Sequence, residues 1–182
     1  MTKNNEVIDL KKARLELAVK RGYRNWVTHF KEAFDLKTRP SDISSETLCQ
    51  LAKGKSENAF CLYDLIMNLL GLGSGFELNE LDSENKMIVI DRYLFLLDIM
   101  RYEYMKRAHW LESYPGENLA LVEMIIDFAE LGPSLQARLP ELSQNHAGYK
   151  LFLDMNTFEK TEFIRKLIPE ILKEIEREVR EK

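Results

Sequence analysis

From Ser83 to Leu111 the chain runs without a glycine or a proline, and this stretch limits the possible folds more than any other. At 3.6 residues per turn, Met87, Ile90, Leu94, Leu97, Tyr104, Met105 and Ala108 gather into one broad apolar arc, which predicts a long helix with a core face. Along one flank of the arc lies a polar row, Asp91, Asp98, Tyr102 and His109, confined to a sector roughly 40° wide. Arg101 falls inside the arc itself. Arg92, Glu103, Lys106 and Arg107 lie on the far side, but Phe95, Leu96, Ile99 and Trp110 lie there too. A helix that is apolar in nearly every direction is surrounded by other elements rather than laid on a surface.

Those other elements are also helical. Eight glycines, five prolines and no run of alternating β-branched residues leave little from which to build a sheet. The 182 residues, 45 % hydrophobic and 31 % charged, are enough for one well-buried core. The expected fold is therefore all-α, a compact bundle of about six or seven helices around the long helix near 83–111, in one domain spanning 1–182.

In chain order, Ile8, Leu15, Val19, Tyr23, Trp26, Phe30 and Phe34 recur at helical spacing, predicting an amphipathic helix over about 7–36 that Gly22 weakens without breaking its phase. Lys20, Arg24 and Lys31 form its basic face, either a solvated surface or a docking surface for an acidic partner. Thr38-Arg39-Pro40 ends it. A helical core spans about 44–131: a short helix capped by Ser41, Ser44 or Ser45 and stopped at Gly54, an apolar helix from Ser56 to Gly71 buried on most sides, the long helix, and an apolar helix closed by Gly132-Pro133. Residues 133–156 read as irregular, with room for two brief helices. A terminal amphipathic helix over about 157–181 follows an Asn156 or Thr157 cap, supported by the pairs Glu162 to Lys166, Glu176 to Arg180 and Glu178 to Lys182, and Pro169 is expected to kink it.

The net charge of −4 gives no bulk attraction to nucleic acid or anionic membrane. No apolar run is long enough to span a bilayer, and the polar N-terminus lacks a secretory core, so a soluble, cytoplasmic protein is expected. Cys49 and Cys61 sit in helical pattern, which suits free thiols in a reducing compartment.

Three chemistries merit weighing. Asp91 and Asp98, with Glu123, Asp127 and Glu130 on the following helix, offer carboxylates for a metal, but no Glu-x-x-His pair accompanies them and Asp91 and Asp98 are about 10 Å apart along the axis. No metal or other cofactor is expected. The glycines of Gly71 to Gly75 follow a helix and open none, so they read as a helix stop rather than a phosphate loop. Leu48 to Ile66 resembles a helix-turn-helix in spacing only; its turn is short, and its second helix carries Glu57 and Asp64 and no basic residue after Lys55, which disfavours DNA.

The polar row remains. Asp98 and Arg101 can pair at i,i+3 with Tyr102 beside them, so a satisfied internal network is the plainer explanation. The functional alternative is a small polar cavity in which Asp91, Asp98, Arg101, Tyr102 and His109 hold an anionic ligand. No catalytic constellation is present. The sequence thus favours a non-enzymatic interaction or regulatory module that self-associates or binds a protein partner, with a ligand sensor or enzyme second and a DNA-binding regulator third.

Overall fold

The computed structural model describes residues 10–180. Among these are eight α-helices: α1 Leu10–Phe30, α2 Ser45–Ala52, α3 Ser56–Leu70, α4 Ser83–Arg107, α5 Leu121–Ile126, α6 Phe128–Gln136, α7 Tyr149–Asp154 and α8 Thr157–Arg180. Two short strands, β1 Leu111–Ser113 and β2 Glu141–Leu142, pair antiparallel. The fold is an all-α helical bundle, with α4 as its axis.

Local chemistry explains most boundaries. The Ser44 hydroxyl accepts the Thr47 N–H at the start of α2, and Asp82 accepts the Asn85 N–H at the start of α4. At the start of α8, Asn156 Oδ1 accepts the Glu159 N–H while Glu159 accepts the Asn156 N–H, a reciprocal capping box. Gly71, at φ 71°, ends α3 in the left-handed conformation that glycine adopts without a steric penalty.

α1 stops six residues earlier than its apolar spacing predicts. Lys31 turns into the left-handed region at φ 54°, and the chain doubles back so that the Phe34 ring packs 5.0 Å from Trp26 and 6.4 Å from Tyr23. Aromatic packing outweighs continued helix here. The expected start at residue 7 lies outside the described residues. Gly22 marks the close approach of α1 to α3, where an added Cβ would stand 2.9 Å from Leu65 Cα.

α4 also ends early, at Arg107, and His109 reverses the chain at φ 61°. Trp110 and Leu111 therefore leave the helix axis, and Leu111 enters β1. The buried face of α4 is rotated from the expected arc: Val89, Tyr93, Leu96, Leu97, Met100 and Tyr104 are buried, whereas Met87 and Leu94 are 55 % and 52 % exposed. Apolar residues all around the axis left the phase undetermined by periodicity.

The apolar helix expected to end at Gly132-Pro133 is two helices. α5 ends at Ile126, and after Asp127 α6 runs through Pro133 to Gln136. Proline's fixed φ is already helical, and the Pro133 carbonyl still accepts the Ala137 N–H at 3.1 Å. The segment read as irregular holds β2 and α7. Pro169 lies within one continuous helix, α8. On its surface Arg165 pairs with Glu162 at 2.6 Å, an i,i+3 pair where the sequence pointed to Glu162 with Lys166, and Arg177 pairs with Glu174; the expected pair of Glu176 with Arg180 rests on a side chain outside the described ones. The pair Glu178 to Lys182 reaches outside the described residues.

Candidate functional site

The polar row on α4 divides in three. Asp91 is exposed on the outer surface. His109, carried past the helix end by its positive φ, is exposed and out of line with the others. Asp98, Arg101 and Tyr102 do come together, because i,i+3 and i,i+4 positions share a face.

Arg101 Nη1 donates to Asp98 at 3.2 Å, and its Nε donates to the Ala52 carbonyl at 3.3 Å. Ala52 is the last residue of α2, so the guanidinium meets the negative end of a helix dipole as well as a carboxylate. That is a structural tie between α2 and α4. Tyr102 and Asp98 also face a cleft of about 280 Å³, open at one side, between α4, the C-terminal end of α6 and α8. Its floor includes Ile99, Leu135, Ile164 and Ile168, and Arg138 and Arg165 reach it from the connection after α6 and from α8.

Burial pushes the Asp98 carboxyl above the usual aspartate range, more than Arg101 and Arg165 pull it down. Burial, then the neighbouring Asp98 charge, pushes the Tyr102 phenol up to about 12. Both groups thus keep their neutral forms to higher pH than ordinary side chains.

The sequence did not single out Arg138 or Arg165. Arg138 follows a helix end set by α6 passing through Pro133, and Arg165 looks like one charge among many on an amphipathic helix. Only the meeting of three separate segments places them beside Asp98 and Tyr102.

A second polar cluster lies at the C-terminal end of α4, directly after Tyr102, where Glu103 is buried. Arg107 Nε donates to one Glu103 oxygen at 2.7 Å and Tyr114 donates to the other at 2.8 Å. The remaining Arg107 nitrogens reach the Pro40 and Ser41 carbonyls and the Ser45 hydroxyl. Lys106 pairs with Glu117 at 2.5 Å. Every part of this cluster is engaged, so it anchors the 40–45 segment and the chain after β1. The i,i+4 spacing of Glu103 and Arg107 was the signal for it, and the expectation of an outward Glu103 is corrected by the rotation of α4.

The remaining residues fall into structural roles or open surface. Lys20 and Arg24 are exposed on α1, with Lys20 at the rim of a groove lined by Val19, Tyr23, Phe34 and Leu36. Lys31, past the helix end, edges a different depression with His29, Glu32 and Ser44. The expected three-residue basic face is thereby broken. Asp64 is buried and accepts from Asn25 Nδ2 and from the Gly75 N–H, each at 2.8 Å. Glu77 accepts the Ser74 N–H at 2.7 Å, placing a carboxylate where a phosphate loop would need its anion. Among the described residues, no group of three or more His, Cys, Asp or Glu side chains is placed to hold a metal ion. No helix among them is long and apolar enough to cross a membrane.

One apolar surface stands out. Leu151 on α7 and Phe158 on α8 are 62 % and 74 % exposed, and with Met155 and Phe163 they line a shallow trough edged by Asp154, Glu159, Glu162 and Lys166.

No family model matches this chain, and neither does any curated protein or solved structure.

Proposed function

We propose that the chain is a non-enzymatic helical interaction module whose contact face is the α7–α8 trough. The observation that supports this reading is the shared exposure of Leu151 and Phe158. Large apolar side chains gathered in one trough, rather than scattered singly, gain free energy when a partner removes them from water. The trough has an apolar centre and a charged rim, the usual layout of a protein contact.

The rim favours a second copy of the chain as partner. It carries acids, Asp154, Glu159 and Glu162, and a base, Lys166. In a two-fold arrangement each patch meets itself, so a rim with both signs can pair Lys166 of one copy with an acid of the other. A cytoplasmic location suits this reading, since neither Cys49 nor Cys61 is in a disulfide.

Light scattering after size exclusion, over a range of concentrations, tests the proposal. Dimer that dissociates on dilution and is lost in Phe158→Glu is expected. A strict monomer that also retains no partner from its native host counts against it. The DNA-binding reading has less support: α3, its recognition helix, buries Asn58, Cys61, Leu62, Asp64 and Leu65 and has no free face to lay in a groove.

A further inference from the structure

We infer that the cleft between α4, the end of α6 and α8 binds a small organic carboxylate with an apolar body. This goes beyond the interaction reading and uses a different face of α8, the one carrying Thr161, Ile164, Arg165 and Ile168.

Arg138 is the chief recognition group of this cleft. It is an exposed residue that lines the cleft, and no hydrogen bond or ion pair with a described residue engages its side chain. A guanidinium presents planar paired donors that match the two oxygens of a carboxylate. Arg165, from α8, adds positive charge, although it is largely exposed and also pairs with Glu162. The Tyr102 hydroxyl likewise makes no hydrogen bond with a described residue, so it is available to a ligand.

The other walls set the rest of the ligand. Ile99, Leu135, Ile164 and Ile168 offer apolar contact, and the half-exposed Leu94 extends it toward the mouth. A cavity of about 280 Å³ sits at the lower edge of the usual range for small-molecule pockets, so the ligand is small. Asp98 is already bonded to Arg101 and still contributes negative charge to the wall. Its charge disfavours a doubly charged anion more than a single carboxylate.

Isothermal titration of the full chain with phenylacetate and with hexanoate tests the inference, with phenylacetamide and inorganic phosphate for comparison. At least one of the two acids is expected to bind with one-to-one stoichiometry. Phenylacetamide and phosphate are expected to bind about tenfold more weakly or worse, since a charge-assisted pair is lost in one and apolar contact in the other. Arg138→Gln is expected to weaken acid binding by about tenfold or more while leaving the Tm of the ligand-free protein unchanged. Arg24→Gln, on α1, should leave binding as it is. Methyl resonances of Ile99, Leu135 and Ile164 should shift on titration. Absence of binding by both acids at millimolar concentration overturns the inference. So does equal binding of the amide or of phosphate, an unaffected Arg138→Gln, an equal loss in Arg24→Gln, or shifts confined to other residues.

Discussion

Tyr114 donates its phenol hydrogen to Glu103 across 2.8 Å, and both side chains are buried. The bond joins the chain after β1 to the end of α4. Tyr114→Phe removes the donor and little else, leaving one oxygen of a buried carboxylate unpaired. Urea unfolding is expected to show a loss of about 1–3 kcal/mol. A change of only a few tenths would mean that water takes the vacated position.

Gly22 sets two effects against each other. Alanine is the better helix former by about 1 kcal/mol, but its Cβ would stand 2.9 Å from Leu65 Cα, a backbone atom that cannot swing aside. Overpacking of this kind costs about 1–3 kcal/mol. Gly22→Ala is therefore expected to lower Tm, and an unchanged or higher Tm would show that α1 and α3 separate easily.

Asp98 gives stability a pH dependence of unusual sign for a carboxylate. Its folded-state pKa is raised, chiefly by burial, so the folded chain holds this proton to higher pH than the unfolded chain does. The Asp98 contribution is most favourable below the unfolded pKa and is lost as pH rises through the folded value. Denaturation midpoints of wild type and Asp98→Asn, compared from the acidic range to neutrality, should show the variant gaining relative to wild type as pH rises. A difference that is flat with pH would count against a raised pKa.

The two thiols should react at different rates. Cys61 is buried, and burial followed by the nearby Asp64 charge pushes its pKa up to about 11. At pH 8 it is almost wholly the unreactive thiol. A disulfide reagent added to the folded protein is expected to modify the half-buried Cys49 first, with Cys61 following only in denaturant. Two equal, fast phases would contradict the placement of Cys61.

The helical class and most helix ends were legible because their causes are local. Ser44, Asp82, Asn156 and Gly71 cap or stop their helices through bonds and conformations within a few residues. What misled was tertiary in origin. Lys31 and His109 both adopt positive φ without being glycine, so nothing in their own chemistry announced the turns that end α1 and α4. Those turns removed Lys31 and His109 from the faces to which spacing had assigned them. The pairing of Asp98 with Arg101 was readable as an i,i+3 contact; the approach of Arg138 and Arg165 from distant segments was not. Met87 and Leu94 show the limit of periodicity, since a helix apolar all around can be rotated without changing its pattern.

The pairing of β1 with β2 is only two residues deep, with Leu111 opposite Leu142 and Ser113 opposite Glu141, followed by the Ser143 N–H donating to Trp110 at 2.9 Å. Small as it is, this ladder closes the ring of chain that contains α5, α6 and Arg138. The entropy of closing that ring is met once, during folding, so a ligand in the proposed site would find the backbone that carries the exposed Arg138 side chain already held in place instead of having to recruit it from a loose loop. Slow hydrogen exchange at Ser143 would report that confinement from outside the cleft, and a substitution that opened the ladder would weaken binding without touching a single residue that lines it.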